Sequence, residues 1–280
     1  MKQFYELMEE ARDIIVDKML APGYELTDTY KAVMYAFIHA ALHVRSGVES
    51  WLVRPLREKI PPLLRGVVER ELSTRLQPLI RYIDEVLSSD KPVLSGGEAD
   101  VKHVIEAVRK SLGKVDYVLV YDCMSAIEQL VISAYLKANG VKTLFLSELL
   151  VNPVGLTRFI TGQFQGITLR GVARYIASQL EAQSYNKNSF IDMRVHEKGS
   201  SGVEEFVESI AIENIASDIL NIARRGRALI LSDHGYDIIA SIEEGYLYVI
   251  HGFRYNVPSK HIPLLLLSRI SLFMVTHGEA

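Results

Sequence analysis

Through the first 88 positions apolar residues recur at three- and four-residue steps. Phe4, Leu7, Met8, Ala11, Ile14, Ile15 and Met19 are expected on one helical face. Thr27 or Asp28 can cap a second helix running to about Val44, where Ser46–Gly47 stops it. Trp51 to Leu87 predicts one or two more helices, broken near Pro61–Pro62, because proline lacks the amide donor that a helix interior requires. The polar, Gly- and Pro-bearing stretch SSDKPVLSGGEAD reads as a linker. The expected organisation is a helical domain over 1–90, a linker over 91–100 and a second domain over 101–280.

Beyond the linker the pattern changes to short apolar runs alternating with helical ones. Strands are expected at 116–121, 142–147, 190–195 (FIDMRV) and 228–232, with two more in YLYVIHG and ISLFMVTHG. Helices are expected at 100–112, 123–138, 153–162, 170–183 and 203–224. This alternation predicts an α/β fold, a mostly parallel sheet sandwiched by helices, preceded by an all-α N-terminal domain.

Composition narrows the class. A chain of 280 residues with 49% hydrophobic and 23% charged residues is globular. The net charge of −3 predicts no strong overall attraction to nucleic acid or an anionic membrane. Cys123 is the one cysteine, so no intrachain disulfide can form and a cytoplasmic location is the default. The N-terminal segment alternates acidic and apolar residues, unlike a signal peptide. The run IPLLLLSRISLFMV contains Arg269 and is too short to span a bilayer. Between residues 45 and 81 basic side chains outnumber acidic ones, which reads as a solvated helical face or as a phosphate-contacting surface for nucleic acid. The apolar helix at 30–43 can serve a homo-oligomer interface.

Three polar clusters sit at or near strand ends, where parallel sheets bind ligands. VYDCMS places Asp122 after the first strand, ILSDHGYD places Asp233 and His234 after another, and FIDMRVHEKG offers Asp192 and His196. Asp and His together supply oxygen and imidazole ligands suited to zinc, manganese or iron. The bland alternatives are that Asp122 caps helix 123–138, that Asp233–His234 is a capped turn and that Asp192 and His196 lie on a solvated edge. Asp237 reads as the cap of a following element. His39 and His43, four apart on an apolar helix, read as core or interface histidines.

SDHG after an apolar strand, a long preceding helix and an earlier strand ending in Asp together resemble the alkaline-phosphatase superfamily, most closely its PglZ branch, over residues 114–280. The resemblance implies a metal-dependent hydrolase of phosphate esters, a phosphatase or phosphodiesterase acting on a phosphorylated small molecule or nucleotide. Its alternative is a degenerate PglZ-like binding or regulatory module. The first metal, zinc or else manganese, would be held by Asp122, Asp233 and His234, with Thr157 as nucleophile. The second would take Asp192, His196 and a late histidine, His277 in VTHGE or else His251 in VIHGF. Arg158 would bind a phosphoryl oxygen. In NPVGLTRFITG the family's spacing is not kept. Thr157 stands four residues before Thr161–Gly162, and the family's nine-residue interval lands on Asn152, where Asn-Pro has the look of a helix start that could present amides to an anion.

Overall fold

The computed structural model of the chain describes residues 4–45, 50–88, 101–146, 150–164, 167–252 and 261–278. The helical layer comprises α1 (Phe4–Ile15), α2 (Leu26–Val44), α3 (Arg54–Glu58), α4 (Pro62–Val67) and α5 (Ser73–Ser88). Next come α6 (Val101–Leu112), β1 (Tyr117–Tyr121), α7 (Ala126–Ala138), β2 (Val141–Phe145), β3 (Leu150–Val151), α8 (Thr157–Gly162) and α9 (Leu169–Gln179). They are followed by β4 (Ser184–Asn188), α10 (Phe190–Lys198), α11 (Val203–Ser209), α12 (Ile212–Ala223) and β5 (Ala228–Ser232). The chain closes with β6 (Asp237–Ser241), β7 (Tyr246–Ile250), β8 (His261–Leu266), β9 (Ile270–Ser271) and β10 (Phe273–Gly278).

The main sheet has the order β2-β10-β5-β1-β4. β4, β1 and β5 run parallel, whereas β10 is antiparallel to both β5 and β2. The sheet expected to be mostly parallel is therefore mixed, with two parallel and two antiparallel pairings among the described residues. A second, wholly antiparallel sheet of order β7-β6-β8 stands beside it, and β3 pairs with β9.

The pleat of β1 sorts its side chains. Leu119 and Tyr121 join the apolar cluster that includes α7 and α12, while Val118 and Val120 join the one beneath α9. Each fully buried valine contributes about 1.5–3 kcal/mol. The first cluster runs without a break from Phe4 of α1 through Leu130 of α7 to Met274 of β10. The N-terminal helices thus share a core with the sheet, and the expected linker lies outside the described residues. Much of the basic excess over 45–81 is paired within this layer, as Arg45 with Asp84, Arg57 with Glu69 and Arg75 with Glu10. Among the described residues no helix is long and apolar enough to cross a membrane.

Several elements depart from the expectation. Residues 190–195 are helical, not a strand: Ile191 and Val195, one turn apart, are the buried face of α10, and Asn188 Oδ1 accepts the Phe190 amide at 2.8 Å as the helix starts. The long helix expected over 203–224 breaks at Ile210–Ala211 into α11 and α12. The helix expected from 123 begins at Ala126, capped by Ser125 rather than Asp122. The strand β4 (SYNKN) was unforeseen, and so was β6, whose first residue is Asp237.

Candidate metal centre

Asp122 continues the β1 ladder by one rung, its amide donating to Asn188 O at 2.8 Å. Its carboxylate stands at the carboxyl edge of the parallel strands. Asp233 follows β5 at the same edge, and the adjoining turns interlock. Asp233 Oδ1 accepts from Cys123 N at 3.3 Å and from His234 N at 3.0 Å. Its backbone carbonyl is held by Asn152 Nδ2 at 3.1 Å and Ser271 Oγ at 2.6 Å. Cys123 takes a positive φ of 67° to make the turn.

The ring of His234 is held in one orientation. Its Nδ1 lies 2.8 Å from Gly235 O, and a carbonyl only accepts, so Nδ1 carries the proton. Nε2 then faces Asp122 Oδ1 and Asp233 Oδ2, each at 3.6 Å. This backbone support behind the ring is the arrangement that orients metal-binding imidazoles. Thr157, the first residue of α8, brings its hydroxyl to the same point: Oγ1 donates to Asp122 Oδ1 at 3.2 Å and lies 3.3 Å from His234 Nε2.

Asn152 does not compete for that position. It is fully buried, and its Oδ1 accepts from Val154 N at 3.3 Å and Leu156 N at 3.4 Å. The segment expected to be helical from 153 is a turn built on Asn152, and the helix starts at Thr157. Asn152 therefore sets where Thr157 begins. Arg158, next along α8, is exposed.

A second group adjoins the first. Asp192 and His196 lie one turn apart on α10, so the four-residue spacing places both on one face. His251, just past β7, reaches Asp192 Oδ1 with Nε2 at 3.3 Å, and His196 Nε2 approaches the same oxygen at 3.6 Å. The ligand-type atoms of Asp192, His196 and His251 lie within 4.8 Å of one another, as do those of Asp122, Asp192 and His234. Asp192 belongs to both sets.

His277, the residue first expected as late ligand, is elsewhere. It pairs with Lys142 in the β10–β2 ladder, and its Nδ1 lies 3.4 Å from Arg227 Nε. The reason is strand direction: β10 runs against β5, so its C-terminal residues arrive at the edge opposite Asp122. His251 stands beside Asp192 and His196 instead. The pattern had also not pointed to Lys187, whose Nζ is 2.8 Å from Asp122 Oδ2, or Ser189, whose hydroxyl donates to that oxygen at 3.3 Å. Both come from or follow β4, which carries no hydrophobic alternation.

Electrostatically the site gathers carboxylates out of solvent. Asp233 is fully buried, and among the described residues its Oδ2 has no hydrogen-bond partner. Burial pushes its carboxyl above the usual range; His234 pulls it down and Asp122 pushes it up again. Burial and then Asp122 likewise raise Asp192. Burial, then His234 and His196, lower His251 to about 4, which keeps its ring neutral. Clustered carboxylates, imidazoles and a buried carboxylate oxygen without a hydrogen bond form a donor set that fits a divalent metal ion. The sequence matches no model of a known protein family and no curated protein.

Proposed function

We propose that this protein is a metal-dependent phosphohydrolase of the PglZ-like kind, acting on phosphate mono- or diesters in the cytoplasm with zinc or manganese. The observation that carries the reading is the meeting of the Thr157 hydroxyl, Asp122 Oδ1 and His234 Nε2 beside the unpartnered Oδ2 of Asp233. Asp192, His196 and His251 would hold a second ion next to it.

Bound divalent ions would supply charge stabilisation for phosphoryl transfer. The rest of the chemistry belongs to the chain. Asp122 Oδ1 orients the Thr157 hydroxyl and lies where it can take its proton. The Thr157 oxygen attacks phosphorus, a Thr–O–P bond forms, and the bond to the ester oxygen breaks, that oxygen leaving with a proton. Water then cleaves the bond from the Thr157 oxygen to phosphorus, releasing phosphate from a monoester or a phosphate monoester from a diester and restoring the hydroxyl. Lys187 holds Asp122 by Oδ2, so that Oδ1 faces the reacting group, and it adds positive charge beside the phosphoryl position. The substrate is a phosphorylated small molecule or nucleotide.

One observation favours a second reading, that of a binding module without turnover. The Lys187 ammonium already sits on Asp122, where it neutralises a carboxylate that would otherwise need a metal. Metal analysis combined with hydrolysis of chromogenic phosphate mono- and diesters by wild type and Thr157→Ala separates the two. Metal binding with Thr157-dependent turnover supports the enzyme, metal binding without turnover supports the module, and a protein that takes up no zinc or manganese sinks the enzyme reading.

A further inference from the structure

Glu128 is fully buried at the third position of α7, where a first-turn glutamate ordinarily meets solvent. Half of its environment is a helix cap: Oε2 accepts from Ser125 N at 2.9 Å and from Ser125 Oγ at 2.6 Å. The other half is not. Oε1 accepts from Tyr30 Oη at 2.6 Å and from Tyr236 Oη, and both tyrosines are fully buried. Four donors on one buried carboxylate compensate its desolvation, and no capping role calls for the two phenols.

The origins of those phenols supply a purpose. Tyr236 stands two residues after His234, at the end of the turn that carries Asp233 and His234. Ser125 stands three residues after Asp122, at the end of the turn that carries that ligand. Tyr30 belongs to α2 of the helical layer. The two turns are in close contact: Cys123 Sγ lies 3.2 Å from Gly235 O. A Cβ on Gly235 would stand 2.7 Å from Leu267 O and 3.1 Å from Ser125 Cα. Tyr236 also meets the ring of Phe206 on α11 edge-on, centroids 4.9 Å apart. A displacement of Glu128 would therefore be felt in both turns at once.

We infer that Glu128 is a positioning residue for the metal centre, and that the helical layer sets its place through Tyr30. Glu128 spaces the Asp122 turn from the Asp233–His234 turn by gripping Ser125 on one side and Tyr236 on the other. Tyr30 ties that clamp to α2, which makes the helices part of the site rather than an appendage. The inference rests on the metal-site reading.

The test uses the full chain and manganese or zinc alone as the probe, with calorimetric affinity measured for wild type, Tyr30→Phe, Glu128→Gln and Tyr35→Phe. Tyr35 is the control, because it also lies on α2 and donates to a carboxylate, Glu69 Oε1, at 3.0 Å, in a contact that involves neither turn. Loss of support behind a metal ligand weakens metal binding about 10- to 100-fold. That loss is expected for Tyr30→Phe and Glu128→Gln, with Tyr35→Phe within about twofold of wild type. In metal-free protein, nitrogen NMR should show the His234 Nδ1–H signal shifted or broadened in the first two variants and unmoved in the control. Unchanged affinity and an unchanged His234 signal in Tyr30→Phe, whatever happens to the melting temperature, overturn the inference. Should Glu128→Gln not fold, Tyr30→Phe, which removes a single hydroxyl, decides alone. If wild type binds no metal the site reading fails, and the His234 signal still decides the positioning role.

Discussion

The Nε2 atoms of His196 and His251 lie 3.0 Å apart, and both face one oxygen of Asp192. Two ring nitrogens at that separation share a single proton between them, or else both aim lone pairs at a common cation. The second arrangement is the one that the proposed second ion requires. His251→Ala and Asp192→Ala should each remove one metal equivalent or weaken it by more than about 100-fold, exceeding the effect of losing a supporting contact. His277→Ala should leave stoichiometry and affinity as in wild type. Elemental analysis with calorimetry checks both, and a metal loss in His277→Ala would contradict the placement of the late ligand.

Thr157 and Asn152 divide roles that the spacing of NPVGLTRFITG left open. Thr157→Ala should lower phosphate-ester hydrolysis at least about 1,000-fold with metal stoichiometry unchanged, and Thr157→Ser should keep measurable turnover. Asn152→Ala should act differently. It takes the side-chain acceptor from the half-buried Val154 and Leu156 amides and one of the two donors from the Asp233 carbonyl, which Ser271 still holds, and this costs about 1–3 kcal/mol in unfolding free energy. Its remaining folded fraction should still hydrolyse substrate. Full activity in Thr157→Ala would remove the nucleophile from the scheme.

What could be read from the chain follows from how each element buries its residues. β1 and β5 are covered on both faces, so VLVY and ALILS are near-continuous apolar runs, and the Asp that ends each one stands out. β4 is an edge strand of alternating exposure whose five residues, SYNKN, carry no apolar pattern. Lys187 was invisible for that reason. FIDMRV alternates well enough to suggest a strand, yet Ile191 and Val195 pack at a four-residue step on a helix. His251 and His277 both precede glycine after an apolar strand. What separates them is the direction of β10, set by long-range pairing that no local pattern encodes.

Lys187 distinguishes the enzyme from the binding module. Its ammonium lies 2.8 Å from Asp122 Oδ2, and a like charge that close opposes a second cation on the same carboxylate. In the enzyme, Lys187→Ala should tighten metal binding several-fold while kcat/KM falls by about 10- to 100-fold, as the charge beside the phosphoryl group is lost. In the module, wild type should bind metal weakly at Asp122 and Lys187→Ala should create the affinity. Unchanged metal binding and unchanged turnover together would show that the ion pair serves neither role.

Asp237 makes a prediction about stability rather than chemistry. It is fully buried at the start of β6, accepting from Ser268 N at 2.8 Å and Ser268 Oγ at 2.7 Å. Burial pushes its carboxyl up to about 7, against the downward pull of the Ser268 bonds and Arg269. In the unfolded chain it titrates near 3.9. Between these values the folded state holds a proton that the unfolded state has released, so this group's contribution to stability falls as pH rises from about 4 to about 7. Above 7 both states are ionised and the loss levels off. The slope is about 1.4 kcal/mol per pH unit within the window. Asparagine keeps an acceptor for the Ser268 amide and offers a donor to its hydroxyl, without a charge to desolvate. Asp237→Asn should therefore be more stable than wild type at pH 8, with the advantage shrinking toward pH 4. Urea unfolding of metal-free protein across pH 4 to 8 measures the difference directly, since other titrating groups are common to both chains. A wild-type-minus-variant difference that stays flat with pH would mean that Asp237 is ionised in the fold throughout, its charge held by Ser268 and Arg269.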